Sequence, residues 1–219
     1  MALSFAALAV LEDGAACIDP TSDYNDFIAR APAPSLDASV GDGGVPALPC
    51  SQVLAGGASG VFYGACLTTA SAGDATQAIY VLVKSTLTPG AGGSADEITV
   101  TMTSLQLHPT NISQTVGATS SPPSATVSAQ CTFVIDAGTI VIPGAANAVG
   151  SDLTLTNTTY SWKLLTPDAS CAALSATVTV PTMVDLTQGG NYCVFKRAPA
   201  DGSVTEFTLG DFVCAGAPG

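Results

Sequence analysis

Alternation of apolar and hydroxyl side chains is the feature of this sequence that most limits its fold. In residues 97–107, Ile98, Val100 and Met102 alternate with three threonines. A period of two places the apolar residues on one face of a strand and the threonines on the other, as in a half-buried β-strand. The spacing that is typical of an amphipathic helix does not occur convincingly after residue 60.

The same alternation recurs along the chain and is interrupted by turn-forming Gly, Pro, Asn and Asp. It predicts roughly nine or ten short strands, in residues 61–69, 77–87, 97–107, 124–135, 139–143, 153–165, 175–186, 192–197 and 204–213. A long polar connection is predicted at 109–123, and Asp201-Gly202 predicts a hairpin turn. Short strands at this spacing predict an all-β fold, an antiparallel, jelly-roll-like β-sandwich. The pattern does not determine how the strands are connected.

Residues 1–60 lack this alternation and are predicted to form an irregular N-terminal arm. Gly and Pro are frequent between residues 32 and 49, which prevents long regular elements, and residues 19–28 favour at most one or two helical turns. The predicted organisation is therefore an arm, 1–60, followed by a β-sandwich domain, 61–219. The arm is expected to lie across the domain or a neighbouring copy. Alternatively, residues 1–60 form a meandering loop region that packs on its own domain.

The charge of the chain argues against nucleic-acid and membrane partners. There are 17 acidic and 5 basic residues, which gives a net charge of −12. A protein that binds phosphates needs clustered Lys or Arg, and an anionic membrane attracts basic segments.

Only 10% of the residues are charged, against about 25% in an ordinary globular chain. The polar remainder is mostly Thr, Ser, Gly, Asn and Gln, so the surface is expected to be neutral, rich in hydroxyl groups and suited to contacts with neighbouring subunits.

Seven cysteines raise the question of disulfide bonds: Cys17, Cys50, Cys66, Cys131, Cys171, Cys193 and Cys214. None has the spacing of metal ligands, and the single histidine does not complete a common zinc site. We expect two or three disulfides, with the odd thiol free, buried or bonded to another subunit. Small buried apolar residues are the alternative role for any one of them. No metal or other cofactor is predicted.

The first eleven residues are apolar but lack the basic start of a secretory signal, and they are too short to span a bilayer. Synthesis without a signal, combined with possible disulfides, is typical of virion components, which work outside the cell. The predicted location is the virion surface or the extracellular space.

No catalytic site is predicted. His108 is the only histidine and has no recognisable nucleophile motif near it, and GxSxG does not occur. Asp136, Asp185 and Asp211 lie near predicted strand ends, where turn aspartates are also common. The sequence therefore favours a protein that is not an enzyme.

The leading functional hypothesis is a structural subunit on the outside of a virus or phage particle, as a capsid-decorating, minor capsid or spike protein. Its partners would be other copies of itself or other structural proteins of the particle. One alternative is a secreted adhesin or carbohydrate-binding β-sandwich with a ligand platform formed by Tyr160 and Trp162. Another is an extracellular filament or pilus subunit.

Overall fold

The computed structural model describes residues 48–71, 74–91 and 95–214. Within these ranges, one short helix, α1 (Cys50–Ala55), precedes ten strands. The strands are β1 (Gly60–Leu67), β2 (Ile79–Thr88), β3 (Glu97–Leu105), β4 (Thr115–Ser120), β5 (Ala125–Thr126), β6 (Thr132–Ile142), β7 (Leu153–Thr166), β8 (Ala169–Val180), β9 (Val184–Asp185) and β10 (Tyr192–Arg197). Single turns of 3₁₀-helix lie at Thr69–Ser71, Ala75–Gln77, Gly144–Ala146 and Leu209–Asp211.

The strands form one antiparallel sheet in the order β4-β3-β2-β1-β10-β8-β7-β6, with β5 paired to β3 and β9 paired to β8. The sheet curves until it is nearly barrel-shaped: Gly117 of β4 lies against the ring of Pro143, which follows β6. The Leu107 amide, just after β3, also donates to the carbonyl of Ala145 at 2.8 Å. The all-β prediction is confirmed. The predicted two-sheet, jelly-roll-like sandwich is not confirmed, because the strands belong to a single strongly curved sheet.

Several strand boundaries differ from the prediction. The predicted polar connection at 109–123 contains β4, which sequence analysis missed because most of its residues are polar or exposed. The predicted strand at 124–135 is divided between β5 and the first four residues of β6, and the predicted strand at 139–143 is the end of β6, whose ladder shifts register around Gly138. Gly138 has a φ of 61°, a conformation that glycine adopts without steric cost.

Residues 204–213 form no strand, so the hairpin expected at Asp201-Gly202 is absent. The Asp201 carboxylate instead accepts a hydrogen bond from the Ser203 amide, which makes a local turn. The segment then crosses the outer face of the sheet, where Phe212 is buried and Lys196 pairs with Asp211 at 3.1 Å. A disulfide between Cys171 of β8 and Cys214 fixes its end.

One end of the sheet interior is filled by three stacked aromatic rings. The ring centroids of Phe133 and Trp162 are 5.6 Å apart, and those of Trp162 and Phe195 are 4.2 Å apart. The indole Nε1 of Trp162 donates to Ser170 Oγ at 3.0 Å, so its only polar group is satisfied. Strands β6, β7 and β10 are thereby held against a common core.

Helix α1 packs at this filled end. Val53 is buried, and Cys50 forms a disulfide with Cys131 just before β6. Arg197 joins the same region: its guanidinium donates to the carbonyls of Gly57 and Pro167 and pairs with Asp168. Residues 48–59 of the predicted arm are therefore packed on the sheet's own domain. The prediction for residues 1–47 lies outside the described residues.

The described part of the chain contains three disulfides: Cys50–Cys131, Cys66–Cys193 and Cys171–Cys214. The prediction of two or three disulfides is confirmed, and Cys17 lies outside the described residues. Three such bonds in one chain indicate an oxidising, extracellular setting. In the described residues, no helix is long and apolar enough to cross a membrane.

Substitution Gly64→Ala tests the packing of the filled end. An added Cβ would lie 2.5 Å from Cδ1 of Phe195 and 2.9 Å from Cγ2 of Val81. We expect the free energy of unfolding in urea to fall by about 1–3 kcal/mol, because overpacking displaces the ring. Gly189→Ala is the matched control: its Cβ meets nothing within 4 Å, and its stability should stay within about 0.5 kcal/mol of the wild type. Equal stability of the two variants would contradict this account.

Candidate functional site

The other end of the sheet interior is hollow. A cavity of about 270 Å³ lies between parts of β1, β2, β3, β4, β6, β7, β8 and β9. Tyr160 and Leu174 lie on its inner side, towards the aromatic stack, and Cys66 of the β1–β10 disulfide also lines it. For comparison, a cavity of about 150 Å³ is large enough to bind benzene.

The cavity lies where β3 and β4 carry short side chains. Ser104 follows Met102 on the inward face of β3, and β4 contributes Ala118 and Ser120. At the filled end, β6 and β7 place Phe133 and Trp162 in the equivalent interior. Small side chains do not meet across a curved sheet of this width, so an internal space remains.

The mouth of the cavity is apolar. Val141 and Val149 line it and are 53% and 63% exposed, and Met183 lies between two further lining residues, Thr182 and Val184. Exposed apolar side chains around an opening are a feature of binding sites for apolar partners or ligands.

Two buried asparagines hold the loops at this end. Asn147 donates from Nδ2 to the carbonyls of Pro143 and Ser151, and its Oδ1 accepts from the Val149 amide. Asn191 accepts from the Thr69 amide at 2.8 Å. It also donates to the carbonyls of Leu186 and Gln188 at 2.9 Å. Because these loops are fixed by buried hydrogen bonds, the cavity is already formed without a ligand.

No charged side chain and no histidine belongs to the cavity lining in the part of the chain that the structure describes. An ionised ligand would lose its hydration there without gaining an opposite charge, which is strongly unfavourable. The geometry therefore favours neutral molecules.

Tyr160 is the polar residue at the inner side of the cavity. It is only 5% exposed, and among the described residues nothing forms a hydrogen bond with its hydroxyl group. Burial raises the pKa of Tyr160 to about 12. The hydroxyl therefore stays protonated at neutral pH and offers one donor and one acceptor to whatever occupies the cavity.

The two aromatic residues singled out in the sequence have different positions. Tyr160 lines the cavity, whereas Trp162 is 3% exposed and lies in the aromatic stack. An exposed platform from these two rings is not formed, because both alternate inwards on β7. The sequence could not show this, since an aromatic side chain on a strand suits either face of a sheet.

The other residues considered for catalysis lie apart from the cavity. His108 is exposed, with its ring centroid 6.3 Å from that of Tyr80. Asp136 and Asp185 accept hydrogen bonds from amides two residues ahead, and Asp211 pairs with Lys196. In the described ranges, no group of three or more His, Cys, Asp or Glu side chains is placed to hold a metal ion.

Alkaline pH should weaken the fold in a way that depends on Tyr160. Burial raises the pKa of Tyr160 from 10.0 to about 12 in the folded state, so the folded state favours the protonated hydroxyl more than the unfolded state does. The resulting contribution to the free energy of unfolding is complete below pH 10 and is lost as the pH rises through about 12. Urea unfolding at pH values across this range should show a steeper fall in the free energy of unfolding for the wild type than for Tyr160→Phe. Parallel pH profiles would contradict the assignment.

Comparisons of the chain with protein families, with curated proteins and with solved structures found no match. Function is therefore inferred from the cavity itself. Four of its features indicate a ligand: the volume, the uncharged lining, the apolar mouth and the hydroxyl group of Tyr160, which has no protein partner in the described residues.

Proposed function

We propose that this protein binds a small, neutral, apolar molecule in the cavity and holds it without chemical conversion, in an extracellular setting. The observation that carries the proposal is a preformed hollow of about 270 Å³ with no charged side chain in its described lining. Small-molecule sites are typically concave, mostly apolar and formed before the ligand arrives.

The size of the hollow argues against an incidental packing defect. Protein interiors are normally close-packed, with few voids larger than a water molecule, so a hollow of about 270 Å³ is much larger than an ordinary packing defect. At the filled end of the same interior, large aromatic side chains occupy the corresponding space, so a sheet of this curvature accommodates them. A retained hollow is explained if a ligand occupies it.

The dimensions limit the ligand. By comparison with benzene in a cavity of about 150 Å³, the volume accommodates roughly ten to twelve non-hydrogen atoms. With the usual binding free energy per atom, the expected Kd is on the order of 1–100 µM.

A fluorescent dye and a cavity-filling substitution test the proposal. The neutral fluorophore 1-cyanonaphthalene has about twelve non-hydrogen atoms and so matches the volume of the hollow, and its fluorescence anisotropy should rise on binding to the wild type. Ser104→Phe places a ring inside the cavity and should weaken dye binding by at least about tenfold. Thr101→Phe is the matched control, because residue 101 lies on the outward face of the same strand and should leave the affinity unchanged.

The dye titration also defines what would contradict the proposal. Absence of binding to the wild type, for the dye and for small aromatic hydrocarbons, would refute it. Equal loss of affinity in both variants would show that the dye binds elsewhere or responds to destabilisation. The melting temperature of each variant, measured without dye, distinguishes these two explanations.

A second candidate function is the structural one expected from the sequence: a subunit on the outside of a virus or phage particle. The observation that favours it is the terminal strand β6, which approaches β4 near Pro143 but forms no hydrogen-bonded ladder with it in the described sheet. Val134 and Val141 on this strand are 51% and 53% exposed. An edge strand with exposed apolar residues readily pairs with another chain.

The native mass of the untagged protein tests the second candidate. A stable oligomer or particle that is reduced to 21.6 kDa monomers by Val134→Lys would support assembly through β6. Thr159→Lys is the control, because it adds the same charge to the neighbouring strand. A wild-type monomer at high concentration would refute the structural role.

A further inference from the structure

The polar groups around the cavity differ in whether they already have partners. Near the mouth, Asn147 is fully used in holding its loop, Thr68 lies 3.3 Å from the hydroxyl of Ser71, and Gln77 donates to Asp74.

The hydroxyls of Ser104, Ser120, Thr182 and Tyr160 form no hydrogen bond with the described residues, and Tyr160, at 5% exposed, is the only buried residue of the four. Its hydroxyl oxygen is not enclosed by protein, because Thr158 Oγ1 is the only fully buried polar side-chain atom without a partner in the described residues. The Tyr160 hydroxyl is therefore open to the cavity that Tyr160 lines.

Packing alone does not explain the hydroxyl. The ring of Tyr160 lies against Trp162, with centroids 6.2 Å apart and planes inclined by 54°. A phenylalanine would make the same ring contact without leaving a polar atom unpaired. The hydroxyl group therefore contributes only through a partner inside the cavity, either water or a ligand.

We infer that the natural ligand carries one uncharged hydrogen-bonding group, a carbonyl or a hydroxyl, on an otherwise apolar skeleton, and that this group pairs with the hydroxyl of Tyr160. The inference rests on the proposed function and adds the chemical class of the ligand. Tyr160 determines the orientation, with the ligand's polar end inward and its apolar remainder towards the apolar mouth. Carboxylates and amines are disfavoured, because the described lining offers no opposite charge.

Thr158 supplies a control on the same strand. Its hydroxyl oxygen is fully buried without a partner, and Thr158 does not line the cavity. Thr158→Val removes an unpaired hydroxyl with little change of shape and cannot alter a direct contact with a ligand.

Two ligands that differ by one hydroxyl group test the inference: naphthalene and β-naphthol. Their affinities are measured by equilibrium dialysis with the wild type, Tyr160→Phe and Thr158→Val. We expect Tyr160→Phe to weaken β-naphthol binding by about five- to tenfold and to leave naphthalene binding unchanged, because only β-naphthol loses a hydrogen bond. Thr158→Val should change neither affinity.

The possible results separate the inference from the proposed function. If both ligands bind the wild type and Tyr160→Phe affects them equally, the inference is overturned while the proposed function stands. If neither ligand nor the dye binds the wild type, both fail.

A test on the wild type alone applies if Tyr160→Phe does not fold. β-Naphthol is then compared with β-methylnaphthalene, which has nearly the same shape. With a partner at Tyr160, β-naphthol should bind at least as tightly. Weaker binding by more than about tenfold would mean that its hydroxyl is buried unpaired and would overturn the inference.

Discussion

The stacking of Phe133, Trp162 and Phe195 is the interaction on which the rest of this structure depends. Three strands from different parts of the sheet meet at these rings, so the sheet must curve around them. Gly64 permits this curvature, because any side chain there would occupy the space of the Phe195 ring. The stack also sets the limit of the cavity: where the rings end, with Tyr160 against Trp162, the hollow begins.

The two ends of the interior are stabilised in different ways. Apolar packing, helix α1 and the Cys50–Cys131 disulfide hold the filled end. The hollow end has less packing available and relies on Asn147 and Asn191, whose buried side chains hold the loops through hydrogen bonds. The Cys66–Cys193 disulfide ties β1 to β10 beside the cavity. A site that must stay open is thus supported by polar and covalent contacts in place of a dense core.

Sequence analysis succeeded where one face of a strand is buried and the other is exposed. Strands β3 and β7 were predicted nearly at their observed bounds, because alternation is strong on half-buried strands. It failed at β4, whose residues are mostly polar or exposed, and at 204–213. That last segment alternates like a strand, but it lies over the sheet's outer face and pairs with no strand. Local alternation reports which residues are buried and does not distinguish a strand from an apolar segment that crosses a surface.

The sequence by itself determined the acidic charge and predicted the all-β class and two or three disulfides. It also identified Tyr160 and Trp162 as residues that could contact a ligand. Only the tertiary structure decided that the sheet curves into a near-barrel, which cysteines pair and that these two rings point inwards. Each of these depends on contacts between residues far apart in the chain: Cys66 and Cys193, for example, are 127 residues apart. The cavity depends on such contacts most of all, because it is a space between eight strands, and no single segment of the chain encodes it.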